Sequence, residues 1–435
     1  MKSLSVFQAI LLAVFGALAV SGILVFALFV GGGGGGAIGP ITIWGTLNGN
    51  AFAVVIRQAA ENDSRLAQVT YVQKDPTTYE SELTDALAAG QGPDLFLLRQ
   101  DYAIKDAGKI QKVPRTILPE ADEARFKDTF IEAAGVYAGT TGILGIPLVA
   151  DPLVMYWNRD MFSSAGYARP PQIWGELNGI AQKIVKRNDA GTIEKAAVAF
   201  GEYANVDNAK DILSMLILQA GGRITMKDTT GRLVPALSAR TGEPAQATES
   251  ALRFYTEFAD PSKTSYSWNR ALPDSRAAFS SGDLALYFGY ASEAAQIARA
   301  NPNLNFAIAP MPQTTNADRA TNGARVYALA VTRTSKNPQG AITVAALLAS
   351  AQLSQSLSIA LGIPSARRDV LSIPSEGNDD LFNKQAIIAR SWIDPDPEKT
   401  SGIFRAMIES VTTGRARLSE AVQRADQEMA EVIGQ

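Results

Sequence analysis

Polar and aromatic side chains follow two of the strands that the sequence predicts. Trp44 ends one predicted strand, and Gln100 and Asp101 follow another, buried one. Because small molecules bind at the carboxyl ends of strands in open parallel sheets, we expect these side chains to line a small-molecule cleft. Two plainer interpretations stay open: Trp44 could pack in the core, and Asp101 could lie in a solvated loop or cap a helix.

The absence of cysteine and histidine excludes whole classes of chemistry. Without cysteine the chain has no disulfide framework, thiolate metal site, cysteine nucleophile or lipidated N-terminal cysteine. Without histidine it has no Ser-His-Asp triad, histidine-ligated zinc or histidine general base. Enzymes built on carboxylates, lysine or tyrosine stay open.

No motif predicts a cofactor, a metal or a nucleic acid. Gly90 and Gly92 precede a strand rather than open a helix, which is not typical of a phosphate loop. The carboxylate-rich segment Asp394–Glu398 lacks the glycine and the ligand spacing of a calcium loop, so we expect a solvated turn there. Basic and acidic residues number 40 and 43, and no basic stripe indicates nucleic-acid binding.

The elements that must position the candidate residues alternate between strand and helix. The first strands are predicted over Ile41–Trp44, Val69–Gln73 and Asp94–Leu98, with helices over Ala51–Ala60 and Thr78–Ala89 between them. This βαβαβ order predicts a parallel sheet covered by helices. The roughly 395 residues from Ile41 onward are too many for one compact core, so the predicted fold class is α/β with two lobes.

A second alternation begins near Leu153, and the C-terminal third is predicted to be mostly helical. The predicted strands of this second alternation are Leu153–Trp157, Leu284–Phe288, Phe306–Ala309 and Tyr327–Val331. Its predicted helices include Trp174–Lys186, Lys210–Gln219 and Thr248–Phe258.

The N-terminal segment predicts a membrane anchor. Ala9–Val30 is 22 residues long and carries no charge, which at about 1.5 Å per residue spans a hydrocarbon core of about 30 Å. Lys2 precedes this span, so residues 1–30 are expected to form a cytoplasmic stub and a single transmembrane helix. Residues 31–40 are expected to form a glycine-rich tether, and the residues after them are expected to lie on the outer side of the membrane. The alternative is a signal peptide cleaved after Ala19, which would leave an apolar new N-terminus.

Several short segments, taken in order, carry a family resemblance. They are Ile41–Thr46, Tyr79–Leu95, Gly145–Pro147 with Met155–Asp160 and Pro170–Trp174, Ala278–Gly282 with Ala309–Pro312, Thr334–Pro338, Gly362–Arg367 and Gly414. With these segments the chain resembles the family 1 extracellular solute-binding proteins of ABC importers, of the maltose-binding-protein type. The match covers nearly all of the chain after the tether.

The resemblance implies a two-lobed periplasmic-binding-protein type II fold behind the N-terminal transmembrane helix. Residues 41–149 and 304–362 would form the N-terminal lobe, and residues 150–303 and 363–435 the C-terminal lobe. The chain would cross between them near Val149, Asn303 and Gly362. Solute would bind between the lobes, which close as hinged rigid bodies. The implied protein is a monomer without a cofactor that delivers its solute to ABC permease subunits.

By the same resemblance, the expected ligand is a mono- or oligosaccharide. Sugar sites combine flat aromatic surfaces with a few placed polar groups. The aromatic candidates are Trp44, Tyr156, Trp268, Tyr290 and Trp392. The polar candidates are Asn48, Gln100, Asp101, Asp151 and Arg325. Asp151 and Tyr156 rank first because they lie at the first crossing between lobes, whereas Trp392 could equally pack between C-terminal helices.

Two other functions stay open. An anchored glycoside-cleaving enzyme would need only two carboxylates, although no acid/base motif is recognisable. A sensor or adhesion protein would use the same fold to signal its loaded state to a receptor.

Overall fold

A computed structural model describes residues 38–114, 123–139, 141–238, 244–315, 317 and 319–434. The predicted anchor Ala9–Val30 and the glycines Gly31–Gly36 lie outside these residues. Within them, no single helix is both long and apolar enough to cross a membrane. Two consecutive helices, Pro338–Leu348 and Ala351–Leu361, meet that test only as a pair, and they are bent by 70° at their junction.

Strands and helices alternate along the described chain. The strands are β1 (Ile41–Gly45), β2 (Val69–Gln73), β3 (Leu95–Arg99), β4 (Ala138–Gly139), β5 (Gly142–Ile143), β6 (Ile146–Asn158), β7 (Lys186–Arg187), β8 (Ile193–Val198), β9 (Thr225–Lys227), β10 (Leu233–Pro235), β11 (Leu284–Tyr290), β12 (Phe306–Ala309), β13 (Asn322–Val331) and β14 (Ala389–Arg390). The helices are α1 (Gly49–Asn62), α2 (Tyr79–Ala88), α3 (Glu123–Thr129), α4 (Arg159–Ser164), α5 (Glu176–Ile184), α6 (Ala209–Gln219), α7 (Pro244–Thr256), α8 (Ser275–Ser280), α9 (Ala294–Ala300), α10 (Pro338–Leu348), α11 (Ala351–Leu361), α12 (Arg368–Leu371), α13 (Gly377–Ile387), α14 (Pro397–Thr412) and α15 (Leu418–Gly434).

The main sheet runs through both lobes in the order β2-β1-β3-β13-β6-β11-β8-β7, with β12 paired to β6 and β14 to β13. β1 pairs in parallel with β2 and β3, which confirms the predicted parallel βαβαβ unit. β13 then pairs antiparallel with both β3 and β6. The predicted α/β fold class is therefore confirmed, with antiparallel strands at its centre.

Two long strands connect two separate hydrophobic cores. The first half of β6 packs in one core with β1 and β3, and its second half packs in the other with β8 and β11. β13 lies beside β6 where the chain passes between the cores, with Arg325 opposite Asp151. We call the core of β1 and β3 the first lobe and the core of β8 and β11 the second lobe. The two-lobed architecture is thus built around paired crossing strands.

Two segments lie on a different lobe from the one predicted. β12 falls in the predicted range 304–362 of the N-terminal lobe, yet it pairs with the second half of β6, and Ala309 packs in the second lobe. Ile363, Ala366 and Leu371 fall in the predicted range 363–435 of the C-terminal lobe, yet they pack in the first. Backbone hydrogen bonds hold this second segment: Ala366 N–H donates to the carbonyl of Leu148 over 3.1 Å.

Candidate functional site

A cavity of about 470 Å³ lies between the two lobes. The first lobe contributes side chains that follow β3, and the second contributes the start of α6, the start of α14 and the loop before α6. The polar and aromatic lining residues are Arg99, Asp101, Tyr102, Tyr203, Asn208, Lys210, Asp211, Arg325, Glu398 and Ser401. A smaller pocket of about 40 Å³ shares Asp101, Lys210 and Asp211 with it and adds Gln100, Tyr290, Trp392 and Asp394. Because the two spaces share these three residues, they adjoin each other and are described together as one candidate site.

The first lobe presents a paired charge at the end of β3. A short turn at Gln100–Tyr102 follows this strand directly, as the position of ligand sites in parallel sheets predicts. Arg99 donates from Nε to Asp101 Oδ1 over 2.6 Å and from a terminal nitrogen to Asp101 Oδ2 over 2.7 Å. Burial opposes ionisation of Asp101, but this paired guanidinium keeps the carboxyl pKa below its ordinary value. The Tyr102 ring faces the Arg99 guanidinium at 5.1 Å.

Arg325 links the crossing strand to the second lobe. Its guanidinium donates to Asp211 Oδ2 over 3.0 Å and to Asn208 Oδ1 over 3.2 Å. It also lies over the Tyr290 ring, 4.0 Å from the centroid. Asn208 is the residue immediately before α6, and its backbone is left-handed with φ of 61°. In this conformation its side chain accepts the hydrogen bond from Arg325. These contacts fix the orientation of the Arg325 guanidinium at the wall of the cavity.

Lys210 and Asp394 form a third ion pair in the second lobe. Lys210 Nζ lies 2.6 Å from Asp394 Oδ2 and 2.7 Å from Thr400 Oγ1. Burial raises the pKa of Asp394 to about 6, and the attraction of Lys210 limits that rise. The Lys210 ammonium also lies 5.4 Å from the centre of the Trp392 ring. The pair therefore combines a charge-assisted hydrogen bond with an aromatic wall.

The site carries matched charges. Arg99, Arg325 and Lys210 each contact a carboxylate, so the site presents both donors and acceptors of hydrogen bonds. Over the ranges that the structure describes, no group of three or more acidic residues is placed to hold a metal ion. The arrangement can bind hydroxyl groups, each of which both donates and accepts a hydrogen bond.

Five of the ten residues predicted from sequence lie around this site. Gln100, Asp101, Tyr290, Arg325 and Trp392 line the cavity or the smaller pocket beside it. Gln100 uses its amide to hold the crossing strand: Oε1 accepts from Val326 N–H over 2.8 Å and Nε2 donates to the Ala324 carbonyl over 3.3 Å. Trp392 also stacks on Phe404 of α14, with ring centres 6.2 Å apart, so both of its predicted roles have contacts.

Asp151 lies behind the site rather than on its surface. It is 3% exposed, and Oδ1 accepts from the Ser292 N–H over 3.0 Å. Burial raises its carboxyl pKa to about 6, although the hydrogen bond from Ser292 opposes the rise. It lies opposite Arg325 on the paired strands, and the positive charge of Arg325 also opposes the rise in the pKa of Asp151.

Tyr156 and Trp268 lie in the core of the second lobe, so neither presents a ring face to a solute in this structure. Both are 0% exposed. The Tyr156 hydroxyl donates to the Tyr290 carbonyl over 2.6 Å, and Trp268 Nε1 donates to Asn205 Oδ1 over 3.2 Å. The predicted stacking roles of these two side chains find no support in their placement.

Trp44 and Asn48 lie at the end of β1, outside the set of residues that line the cavity. Trp44 is half-buried against the first core, with the Lys74 ammonium 3.8 Å from its ring centre. Asn48 caps α1, since its Oδ1 accepts from Ala51 N–H over 3.1 Å. Their predicted roles in binding stay predictions.

The sequence interpretation missed several lining residues. Tyr102 follows Asp101 directly and could have been found as part of the same strand end. Tyr203, Asn208 and Lys210 carry no comparable signal, because they precede or begin a helix in a region without a clear strand. The predicted solvated turn was wrong for Asp394, which is 2% exposed because it pairs with Lys210.

Relatives in sequence and in structure point to one family. The family model described as bacterial extracellular solute-binding protein matches residues 57–384, which is more than half of the chain. The maltotriose-binding protein of Pyrococcus abyssi (strain GE5 / Orsay) is 27% identical over 179 residues, covering 38% of this chain and 37% of that relative. A relative from Brucella abortus (strain 2308) is 25% identical over 248 residues, covering 56% and 55%. The chain thus aligns with only about a third to a half of these relatives' lengths.

Solved structures share the fold over nearly the whole chain. A cyclo/maltodextrin-binding protein complexed with maltotetraose has a TM-score of 0.71 at 18% identity and covers 92% of this chain and 98% of its own. A cyclic alpha-maltosyl-1,6-maltose binding protein from Arthrobacter globiformis has a TM-score of 0.74 at 16% identity, covering 91% and 99%. An ABC transporter solute-binding protein from Thermotoga lettingae TMO, bound with alpha-D-tagatose, has a TM-score of 0.67 at 21% identity, covering 91% and 100%. The chain belongs to the bacterial extracellular solute-binding proteins.

Proposed function

We propose that this protein captures a neutral carbohydrate between its two lobes and delivers it to an ABC importer. The observation that carries the proposal is the cavity of about 470 Å³ between the lobes, walled by paired charges and aromatic rings. Pockets of a few hundred cubic ångströms are typical of small-molecule sites. The residues of both lobes line it, so a bound solute would bridge them and favour a closed arrangement.

The charge balance favours a neutral solute with many hydroxyl groups. Arg99, Lys210 and Arg325 already contact carboxylates, so a further anion would have to compete with those partners. A sugar hydroxyl can instead accept from a guanidinium and donate to the neighbouring carboxylate. Such hydrogen bonds to charged groups are stronger than neutral ones.

Aromatic rings supply the apolar half of the site. Tyr102 and Tyr203 line the cavity, and Trp392 lines the pocket beside it, whereas Tyr290 is 2% exposed and its ring is covered by Arg325. Flat rings suit the C–H faces of a pyranose or furanose ring. The similar proteins include a maltotriose-binding protein and binding proteins complexed with maltotetraose and with alpha-D-tagatose, which agrees with a mono- or oligosaccharide.

The proposal includes a monomer held at the outer face of the membrane. Its support is the uncharged segment Ala9–Val30, preceded by Lys2 and followed by the glycine tether. Tethering raises the effective concentration of the protein near its permease subunits, which offers an advantage over free diffusion. The related proteins are binding proteins, and we propose binding without catalysis here.

Isothermal titration of residues 41–435 against a panel of neutral sugars, a peptide and inorganic phosphate tests the assignment. We expect binding of at least one sugar and none of the peptide. Chromatography of the same mixtures should show the sugar unchanged. Tight binding of the peptide without any sugar would overturn the carbohydrate assignment, and release of cleaved sugar would favour a glycoside-cleaving enzyme.

A matched pair of tyrosine variants ties the binding to the cavity. Tyr102 and Tyr266 each face an arginine, at 5.1 and 5.3 Å, but only Tyr102 lines the cavity. Tyr102→Ala is expected to weaken sugar binding about tenfold, as the loss of one aromatic contact implies. Tyr266→Ala should leave the affinity unchanged. Equal effects of both variants would place the sugar elsewhere.

A further inference from the structure

A second cavity lies in the second lobe, away from the site between the lobes. It has a volume of about 360 Å³ and shares no lining residue with that site. The ends of β6 and α5, strand β7, strand β8 and the segment before β12 form its walls. Its polar lining is rich in groups that donate hydrogen bonds: Lys183, Lys186, Lys195, Asn158, Asn301, Asn303 and Asn305.

Three lysines converge on this cavity without enough carboxylates to pair with them. Lys186 and Lys195 are directly opposite each other on the antiparallel strands β7 and β8, an arrangement that like charges disfavour. Lys195 Nζ lies 2.7 Å from Asp283 Oδ1. Among the described residues neither Lys183 nor Lys186 forms an ion pair with a carboxylate, and the Lys183 ammonium lies 5.1 Å from the centre of the Tyr167 ring. Two unpaired positive charges therefore stand at one concave surface.

Asn158 provides an independent sign of a ligand. Its side chain is on the cavity wall although the residue is 4% exposed. Oδ1 accepts from the N–H groups of Asp160 and Met161, both over 3.1 Å, which fixes the orientation of the amide. The remaining nitrogen, Nδ2, has no acceptor among the hydrogen bonds of the described residues. It lies 3.9 Å from the position that a Cβ would occupy at Gly282, another wall residue.

One carboxylate also lines the cavity and must be weighed against an anion. Asp160 Oδ1 accepts from Asn305 Nδ2 over 2.7 Å, so that carboxylate already has a donor. Asn301 likewise uses its Nδ2 on the Ser280 carbonyl over 2.9 Å. The donors left for a ligand include the ammonium groups of Lys183 and Lys186 and the side-chain amides of Asn158 and Asn303.

We propose that this cavity binds a phosphate monoester group. A phosphate monoester carries a charge of about −1.5 to −2 and three strong acceptor oxygens, which match two unpaired ammonium groups and the side-chain amide donors. A carboxylate would carry half of that charge. The site stands apart from the proposed sugar site and does not depend on it. The phosphate could belong to a free solute or to a lipid headgroup at the membrane surface.

Isothermal titration and ³¹P NMR with the full chain test the proposal, using inorganic phosphate and glycerol 3-phosphate as probes. We expect both probes to bind, with glycerol 3-phosphate at least as tight. Lys183→Gln/Lys186→Gln should raise the dissociation constant at least tenfold. Lys227→Gln, which removes one exposed lysine of β9 outside this cavity, is the control and should change nothing.

A nearly isosteric variant separates binding from folding. Asn158→Asp keeps the oxygen that caps α4 but replaces the donor Nδ2 with an acceptor. It should fold normally, show an unchanged circular dichroism spectrum, and lose phosphate binding at least tenfold. Retention of full phosphate affinity in Asn158→Asp would overturn the proposed site, as would the absence of any saturable binding to the unmodified protein.

Vesicles distinguish the two sources of the phosphate. Vesicles of neutral lipid with and without an anionic glycerophospholipid are compared for protein binding, with glycerol 3-phosphate as the competitor. Binding that the competitor displaces and that Lys183→Gln/Lys186→Gln abolishes would assign the cavity to a headgroup. No vesicle binding together with tight solute binding would assign it to a free phosphate monoester. Vesicle binding that Lys227→Gln weakens as much, with no saturable solute binding, would contradict the proposal.

Discussion

Arg325 is the residue on which the two lobes and the site meet. It sits on a crossing strand, donates to Asp211 and Asn208 of the second lobe, and stacks on Tyr290. A planar guanidinium can do all of this at once, whereas an ammonium cannot reproduce the fork or the stacking. Substitution of Arg325 by lysine therefore keeps the positive charge but loses the planar fork of donors and the stacking on Tyr290.

We predict that Arg325→Lys weakens sugar binding about ten- to hundredfold, because the fixed donors at the cavity wall are lost. Titration calorimetry measures the change. Arg232→Lys is the control, since Arg232 also pairs with an aspartate, at 3.2 Å, but is 80% exposed at the surface. An Arg325→Lys variant with normal affinity would remove this arginine from the site.

Asp151 is predicted to make the stability depend on pH. Its folded-state pKa of about 6 lies above the ordinary value of 3.8, so the folded protein binds more protons between these values. The contribution to stability is present below about pH 4 and is lost as pH rises to about 6. A shift of this size corresponds to about 3 kcal/mol. Asp151→Asn removes this titrating group, so the free energy of unfolding should fall less as the pH rises.

Urea unfolding of both proteins at pH 4 and pH 6.5 measures the difference. We expect the loss of unfolding free energy over this interval to be smaller in Asp151→Asn than in the unmodified protein. Asp260→Asn is the control, because hydrogen bonds from Ser262 lower the pKa of Asp260 and keep it ionised in this range. Identical pH dependence in Asp151→Asn and the unmodified protein would contradict the assignment.

Individual site residues could be predicted from sequence where they lie at the end of a strand or directly after it. Gln100 and Asp101 follow a buried strand, and Tyr290 ends another, so their positions at the cleft follow from topology. Trp268 was misplaced because Ser267, Asn269 and Arg270 beside it are polar, a composition that is typical of an exposed segment. Ser267 explains the difference: its hydroxyl accepts from the N–H groups of Ala197 and Val198, at 2.8 and 2.9 Å, and holds the segment against the core.

At the scale of elements, the crossing strands were harder to predict than the parallel sheet. β6 runs without a break through Pro147 and Pro152, although prolines inside a strand argue against one. Pro147 lies opposite Ala328, next to a shift in the register of the pairing with β13, and Pro152 lies opposite Ala324, where the strand passes from one lobe to the other. The local sequence therefore predicted a strand only from Leu153 and missed that the same strand begins at Ile146.

An ion pair joins the loop after β3 to the start of α14 across the cleft. Lys105 Nζ lies 2.8 Å from Glu398 Oε2 and 3.5 Å from Asp396 Oδ1. The pair connects a segment of the first lobe with a helix that packs in the second, so it can exist only when the lobes are close. Because Glu398 is 63% exposed, its contribution is expected to be small and sensitive to salt.

We predict that Lys105→Gln raises the rate of sugar dissociation about two- to fivefold, as the loss of one partly exposed ion pair implies. Stopped-flow fluorescence at low and high salt measures the rate, and the difference between the proteins should shrink at high salt. Lys127→Gln is the control, because its pair with Glu123 at 2.9 Å lies within one helix. Equal dissociation rates at low salt would show that this contact does not hold the lobes together.

At the scale of the whole molecule, the described chain begins fixed to the first lobe. The carbonyl of Ile38 accepts from Asn337 Nδ2 over 2.6 Å, just before β1. The glycines Gly31–Gly36 precede this point in the sequence, and the tether predicted from them would span a root-mean-square distance of about 13 Å. If Ala9–Val30 crosses the membrane, the first lobe is held within a short distance of its surface. The tether can then act as a substitute for a lipid anchor, which a chain without cysteine lacks.

We predict that the full chain stays with the membrane fraction after carbonate washing, because a span of 22 uncharged residues is long enough to remain inserted. Residues 41–435 exported behind a cleavable signal peptide are the control: they should be released in soluble form and bind sugar with unchanged affinity. N-terminal sequencing of the natural product decides between the two interpretations of the segment. A mature protein that begins at Val20 and is free in the medium would show that the anchor is cleaved. An intact N-terminus in washed membranes, with protease reaching the lobes only from outside, would establish both the anchor and its orientation.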